Sequence, residues 1–276
     1  MASLIKNKMT ATALAVCTVL GMGYSAMASA ADSVDFTTTI NVVSTNKCEA
    51  TVAAGDTGSN WALKWTLGNA ETTGTIDYTN AGLEPLQVKV SINDDGANNC
   101  HLNKMKIGAD MHDAVSAATD SAAYKVATSN GFWRYMPVVA KADMYTSKDF
   151  TTAVTGTVTV KGADGADYEV QTASQHAGQS EVTPVTGWHW GSSDAVVLSN
   201  GYLDNGGYAP LTYNGTTTTP VTFTLGTPTQ NVDSAVIGVS AIIAKDPEDN
   251  QGAKDVAAVT DTETVNMPFT INVTWL

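Results

Sequence analysis

The sequence predicts an all-β fold, an antiparallel sandwich of many short strands. Two segments carry the strongest signal, Ser33–Val42 and Met267–Leu276, because apolar and polar residues alternate along both. Such period-two alternation is typical of a strand with one buried face. Thr, Gly, Ala, Val, Asn and Asp are abundant, and this composition favours strands and turns. Short strands separated by Gly- and Asn-rich turns indicate a sandwich.

The first and last strands are predicted from the alternation alone. In the first, every second residue is apolar or β-branched, namely Val34, Phe36, Thr38, Ile40 and Val42. In the last, every second residue is large and apolar, namely Met267, Phe269, Ile271, Val273 and Trp275. Each set is expected to lie on the buried face of its strand.

Three runs between these ends alternate in the same way, and each is predicted to be a half-buried strand. They are Leu86–Ile92, Val154–Val160 and Val221–Leu225. Turn-forming residues follow the first two, at 93–96 and 162–165. Weaker strands are predicted at Asn60–Leu67 and Asp167–Thr172.

Two runs are apolar almost throughout. Val236–Ala244 predicts a central strand that is buried on both faces. Phe132–Ala140 predicts another strand, and Pro137 within it indicates an edge or a bulge because proline has no N–H to donate.

Only Asp110–Tyr124 has helical character. Its alanines favour a helix and its serines and threonines do not, so a short surface helix and an irregular excursion both fit. The stretch 101–213 is the least regular part of the sequence and predicts large loops.

The first thirty residues predict a signal peptide. Lys6 and Lys8 precede the apolar run Ala11–Met22, and Ala28-Ser29-Ala30 is a small-x-small cleavage site. The apolar run is too short to span a bilayer. The mature chain is expected to begin at Ala31 and to be exported.

The charge of the chain argues against nucleic acid as a partner. The formal net charge is −13 over 276 residues, and an acidic surface repels phosphate backbones. Few lysines and a single arginine, Arg134, also make anionic membranes poor partners.

Two cysteines follow the signal peptide, Cys48 and Cys100. Two cysteines in an exported protein most often pair, so a disulfide is predicted. Closing this loop would stabilise the fold by about 4 kcal/mol on the chain-entropy model. Two free thiols are the alternative.

This layout resembles the subunits of chaperone–usher fimbriae. The resemblance lies in the signal peptide, the alternating segment Ser33–Val42, the placement of Cys48 and Cys100, and the final strand with Trp275 in the penultimate position. The chain is longer than a minimal fimbrial subunit, and in this it resembles the subunits of fimbriae of the F4 (K88) kind, whose major subunit is itself the adhesin.

The resemblance implies an incomplete immunoglobulin-like sandwich, residues 45–276, with long loop insertions and preceded by a donor-strand extension, residues 31–44. Residues Val34 to Val42 of the alternating set would fill the groove of a neighbouring copy, and the Met267–Trp275 strand would line that groove and pair with a periplasmic chaperone. An outer-membrane usher would assemble copies head-to-tail at the cell surface. In an isolated chain, Ser33–Val42 is then expected to be detached, or antiparallel to Met267–Trp275. The alternative is an ordinary first strand within its own sheet.

Trp188, His189 and Trp190 form the most unusual local string, flanked by glycines. Aromatic faces with a polar edge suit sugar rings, so these residues are candidate glycan contacts. The alternative is that one tryptophan anchors the loop in the core and the other covers it.

No catalytic motif, cofactor site or metal site is predicted. Asp246–Gly252 superficially resembles a calcium loop, but its glycine is one place late and Ala257 stands at the closing position, so an acidic solvent-facing turn is expected. The alternative to a fimbrial subunit is a monomeric, secreted or periplasmic carbohydrate-binding module with a β-sandwich fold.

Overall fold

The computed structural model describes residues 32–37, 40–44, 50–56, 62–77, 85–93, 100–111, 115–117, 123–171, 183–186, 194–197, 203, 208–212, 220–267 and 269–275. Within these residues the protein is all-β, and its only helical elements are two 3₁₀ turns, Leu102–Lys104 and Val256–Ala258. The predicted all-β fold class is confirmed. The sheets are mainly antiparallel, an arrangement consistent with a β-sandwich.

The strands of the first half are Asp32–Thr37 (β1), Ile40–Ser44 (β2), Ala50–Ala54 (β3), Ala62–Leu67 (β4), Thr75–Asp77 (β5), Leu86–Ile92 (β6), Met105–Met111 (β7), Val115–Ala117 (β8), Tyr124–Ala127 (β9) and Gly131–Tyr145 (β10). Those of the second half are Val158–Lys161 (β11), Asp167–Glu169 (β12), Thr183–Thr186 (β13), Asp194–Val197 (β14), Ala209–Pro210 (β15), Val221–Leu225 (β16), Ser234–Ala244 (β17), Glu248–Asp249 (β18), Glu263–Asn266 (β19) and Phe269–Trp275 (β20).

The described strands form three sheets. A small sheet has the order β19-β1-β4-β5, and a second sheet has the order β12-β11-β16-β7-β20-β2. The main sheet has the order β13-β14-β17-β10-β9-β8, with β6 also on β17 and β3 on β6. Buried residues of all three sheets belong to one hydrophobic cluster, so the sheets share a core.

The main sheet is organised around β10 and β17. They pair antiparallel from Tyr135–Ile243 to Tyr145–Ser234, and all eleven residues of β17 are buried. The predicted central strand Val236–Ala244 is therefore confirmed. β6 also confirms its prediction, because its burial alternates residue by residue from Leu86 to Ile92.

Pro137 indicated an edge or a bulge, and the edge is wrong because β10 lies between β17 and β9 in the main sheet. Proline is tolerated here because β9 pairs β10 only up to Tyr135, and β15 begins to pair at Val138. The carbonyl of Pro137 accepts the N–H of Leu211, so its nitrogen also faces this gap and no ladder bond to β17 is lost. A register shift does follow nearby, between Val139 and Lys141.

The predicted turn at residues 162–165 is confirmed. The N–H of Gly165 donates to the carbonyl of Gly162 at 2.9 Å, and Gly165 has a φ of +82°. This left-handed conformation favours glycine. The turn joins β11 to β12, which pair antiparallel.

Of the two alternatives for Asp110–Tyr124, a short helix or an irregular segment, the helix is wrong where the structure describes the stretch. β7 extends to Met111, β8 covers Val115–Ala117, and β9 begins at Tyr124. β7 satisfies its backbone groups against β20, and β8 pairs with β9. The alanine-based helix propensity is a weak preference that these long-range ladders override. The irregular stretch 101–213 likewise contains the 15-residue strand β10.

Candidate functional site

The candidate site is the pair of chain ends, which lie side by side. β1 pairs parallel with β19, from Val34–Glu263 to Thr37–Asn266. β2 pairs parallel with β20, from Ile40–Phe269 to Ser44–Val273. Both ladders join residues 229 positions apart (263 − 34 and 269 − 40). The two ends therefore follow one register although they cross from one sheet to another.

The direction of this pairing differs from the expectation. Ser33–Val42 was predicted to be detached or antiparallel to Met267–Trp275 in an isolated chain, and the structure pairs the two segments in parallel. Alternation specifies which face of a strand is buried but not its direction, so the sequence signal could not decide this.

The two halves of the leading segment occupy different positions in their sheets. β1 lies between β19 and β4, with Val34 opposite Trp65 on the antiparallel side. Among the described strands, β2 pairs with β20 alone in the second sheet, so it lies at the edge of that sheet. One half is thus enclosed by its sheet and the other covers an open edge.

The surface that receives the leading segment is part of the core. Met267 is 1% exposed, and Phe269, Ile271 and Val273 are fully buried. Residues Thr270, Asn272 and Thr274 between them are half-buried. The predicted inward set is confirmed at these four positions, and the backbone of Trp275 continues the strand opposite Met105.

β7 forms the other side of β20. Ile107 pairs with Val273 and Ala109 with Ile271, and both are fully buried. Asn272 also donates from its side chain to Asp110. β20 is therefore fixed by β7 on one side, and only its other side is available to a leading segment.

A buried carboxylate, which the sequence analysis missed, connects the small sheet to the main sheet. Asp246 is 6% exposed. It accepts hydrogen bonds from Trp65 Nε1 at 3.3 Å, Thr73 Oγ1 at 2.6 Å and the Gly74 N–H at 2.6 Å, and Lys254 Nζ lies 2.7 Å away. We call these residues the Asp246 anchor. It ties β4 and the turn before β5 to the end of β17.

The Asp246 anchor depends on close packing around Trp65. This side chain is fully buried and meets Trp133 edge-to-face, with ring centroids 5.5 Å apart. A Cβ atom at Gly74 would lie 2.0 Å from the Trp65 ring. Only glycine fits this position, which brings its N–H within reach of the carboxylate.

A second buried charge lies two residues further on. Glu248 accepts from Arg134 Nε at 2.8 Å and from Arg134 Nη2 at 2.9 Å, and both side chains are almost fully buried. This two-point geometry is the strong form of an arginine–carboxylate pair. The predicted acidic, solvent-facing turn is therefore wrong for Asp246 and Glu248. The signal that could have found the pair is the lone arginine inside the apolar run Phe132–Ala140.

Burial also raises the pKa of two tyrosines of the main sheet and of one tyrosine of the second sheet. It raises the pKa of Tyr124 to about 12, and the negative charge of Asp110 adds to this shift. It raises the pKa of Tyr135, whose ring lies 6.1 Å from that of Tyr124. Burial again raises the pKa of Tyr168, and its hydrogen bond to Asp164 adds to the shift. These hydroxyls remain protonated at neutral pH.

Several predicted site residues lie outside the described residues: Thr38, Cys48, Trp188, His189 and Trp190. Cys100 is buried, and its disulfide with Cys48 stays a prediction. The tryptophan string falls in the connection between β13 and β14, which pair antiparallel. The signal peptide, residues 1–30, is also outside the described part of the chain.

The described residues contain neither a metal-binding cluster nor a helix that could span a membrane. They contain no group of three or more His, Cys, Asp or Glu side chains placed to hold a metal ion. They also contain no helix long and apolar enough to cross a membrane.

Comparison with known proteins adds no assignment. No protein-family model and no curated protein matches this chain.

Proposed function

We propose that this protein is a structural subunit of a surface fimbria that polymerises when copies exchange their N-terminal strands. The body, residues 45–276, is in this proposal an immunoglobulin-like sandwich that lacks one strand until a leading segment fills it. Export through the periplasm, a chaperone that protects the open edge, and an outer-membrane usher complete the pathway.

One observation carries the proposal: the leading segment contacts the rest of the sandwich through strand ladders that a second copy can reproduce. β2 covers the edge of β20, whose alternate side chains belong to the core. Removing β2 leaves backbone groups of β20 unpaired, and an unpaired edge beside a core is a template for another strand.

The energetic scale of the exchange favours a stable fibre. Each large apolar side chain that an incoming strand buries contributes about 1.5–3 kcal/mol, in addition to its main-chain hydrogen bonds. Because the donated segment and the receiving edge are different parts of the chain, the contact is head-to-tail and generates an open filament.

In this proposal the isolated chain is a closed monomer whose leading segment occupies its own body. Assembly begins when that segment is released. A chaperone of the periplasm would hold the edge of β20 during this step. Adhesion to host glycans through Trp188, His189 and Trp190 is a secondary part of the proposal.

A second candidate function is a monomeric, secreted carbohydrate-binding module. It is favoured by the position of β1 between β19 and β4, because a strand enclosed by its own sheet leaves no need for a partner. The two candidates differ in one measurable property, the state of association of the mature protein.

The test changes the leading segment, residues 31–44, on its two alternating faces separately. Ile40→Asp/Val42→Asp places charges on the alternation that is predicted to be buried, and Thr37→Asp/Asn41→Asp places the same charges on the other alternation. We expect fibres in negative-stain images of the exported wild type and of the Thr37/Asn41 variant, and none of the Ile40/Val42 variant. A wild type that stays monomeric after export would overturn the fimbrial proposal and favour the monomeric module.

A further inference from the structure

We infer that the outer edge of β3, residues Ala50–Ala54, is a contact site at which two copies of this chain join edge to edge. The two β3 strands pair antiparallel about a two-fold axis at Val52, so that the main sheets of the two copies become continuous. Within a fimbria this contact lies between neighbouring fibres. It goes beyond the proposed exchange of leading segments and does not require it.

The backbone of β3 presents hydrogen-bonding groups away from its own sheet. Among the described strands, β3 pairs with β6 alone. The N–H of Gly55 donates to the carbonyl of Gln87 at 2.7 Å. Because backbone groups alternate sides along an antiparallel ladder, Thr51 and Ala53 also point theirs at β6. The N–H and C=O groups of residues 50, 52 and 54 therefore point outward, and such an edge is a template for another strand.

β3 lacks the features that protect the other described edge strands outside the leading segment. β12 carries exposed Asp167 and Glu169, β19 carries Glu263, and β13 contains Pro184. β5, β8, β15 and β18 have only two or three residues. Charges, prolines and short length all hinder pairing with another chain. β3 has five residues, and none of them is charged or a proline.

The charges around β3 also permit a second copy to approach. Lys89, which lies opposite Ala53 on β6, is neutralised because its Nζ lies 2.9 and 3.0 Å from the two carboxylate oxygens of Asp56. The whole chain has a formal net charge of −13, so two copies repel each other over most of their surfaces. An uncharged strand beside a neutralised lysine is a place where this repulsion is small.

The partner is a second copy because the outer edge of β3 complements itself. With Val52 opposite Val52 of the other copy, residue 50 lies opposite 54 at both ends. These three pairs consist of the residues whose backbone groups point outward, and each pair exchanges two hydrogen bonds. Between them Thr51 lies opposite Ala53, and both side chains are small and exposed, so neither blocks the approach.

The short length of β3 sets the strength of the contact. A stable interface takes about 20–30 residues from each partner, so two single copies bind weakly through five residues. Along a fibre the same contact repeats at every subunit, and linked weak contacts combine into strong binding. The expected result is lateral association of fibres.

The first test is disulfide cross-linking of the exported protein. Thr51→Cys is placed in one tagged copy and Ala53→Cys in another, since a disulfide needs its two Cα atoms within about 7 Å. We expect a disulfide that joins the two tags. Thr224→Cys, at an exposed position of β16, replaces Ala53→Cys in the control for chance collisions. A yield between 51 and 53 no higher than between 51 and 224 would overturn the inference.

The second test exchanges charges at the same two positions. Thr51→Lys/Ala53→Lys places like charges opposite each other across the contact, which is destabilising, and Thr51→Glu/Ala53→Glu does so with the other sign. We expect each variant alone to remain unassociated in sedimentation and negative-stain images, and an equal mixture of the two to associate like the wild type. Thr222→Lys/Thr224→Lys on β16 is the matched control and should also associate like the wild type.

The outcomes separate this contact from the fimbrial function. Lysine variants of β3 that associate like the wild type, or a mixture that stays apart, would overturn the contact. Wild-type fibres that form but remain single would also overturn it and leave the fimbrial function standing. Pairs that are cross-linked through β3 without any fibres would support the contact and overturn the fimbrial function.

Discussion

The main sheet and the small sheet are held in place by different kinds of interaction. β10 and β17 are long, pair along most of their length, and bury every residue of β17. The small sheet has short strands and is tied to the end of β17 by the side chain of Asp246. The sheet that encloses β1 is thus the one positioned by directed polar contacts.

This difference shows that the interactions that stabilise the fold are not the same as those that position its small sheet. Apolar burial is large and non-directional, so it stabilises β10 and β17 without fixing where a peripheral sheet lies. A buried carboxylate with several donors has few alternative arrangements, because leaving those donors unpaired is costly. The Asp246 anchor therefore determines where β4 presents its edge to β1.

The largest expected effect comes from the charge pair inside the main sheet. Glu248→Ala leaves Arg134 buried without its carboxylate, and removing one partner of a buried pair costs about 3–5 kcal/mol. Denaturant unfolding should show this loss in the free energy of unfolding of the whole domain. The matched control is the double variant Arg134→Met/Glu248→Leu, which removes both charges and should recover most of the loss. Equal destabilisation of both variants would contradict this account.

A smaller and local effect is expected from Asp246→Asn. This change removes the ion pair with Lys254 and one acceptor oxygen, and a donor left unpaired in a buried site costs about 1–3 kcal/mol. Hydrogen exchange should accelerate in β4 and β5 more than in β17.

The control for that experiment is Asp249→Asn, three residues further on in β18. Asp249 accepts the N–H groups of Gln251 and Ala253 through one exposed oxygen, which asparagine can replace. Uniform acceleration across all three sheets in Asp246→Asn would show that the anchor is not specific to the small sheet.

The smallest expected effect is a loss of stability at alkaline pH, and it comes from Tyr124 in the main sheet. The pKa of Tyr124 is raised to about 12 by burial, whereas in the unfolded chain it lies near 10. The Tyr124 hydroxyl therefore keeps its proton to a higher pH in the folded chain than in the unfolded chain. The contribution of this group to stability is complete below pH 10 and is lost as the pH rises towards 12. Unfolding midpoints measured from pH 9 to 12 should fall less steeply in Tyr124→Phe. An unchanged slope would assign the alkaline loss to other groups.

A strand could be predicted from the sequence where the pattern of its own residues specifies its burial. Leu86–Ile92 was predicted at its observed bounds because one face is buried and the alternation is complete. The start of β17 was predicted within two residues, because a run of apolar residues marks a strand buried on both faces.

The parts that could not be predicted depend on distant residues. Asp246 meets Trp65 across 181 positions and Gly74 across 172, so nothing near Asp246 distinguishes it from a solvent-exposed acid. The alanines between 110 and 124 favoured a helix, but Ala117 lies in β8, which pairs with β9, and the start of the stretch, Asp110 and Met111, pairs with β20 from the far end of the chain. The direction of the two strands at the candidate site also depends on distant residues. Alternation located the leading and final segments, but it did not specify whether they pair in parallel or antiparallel.

The parallel alignment of the chain ends has a mechanical consequence. Residue 32 lies at one end of the paired segments and residue 275 at the other. Tension that draws these two residues apart acts along the strands, so the hydrogen bonds of the ladder share the load and must yield together. An antiparallel pair, pulled from adjacent ends, would open one bond at a time at much lower force.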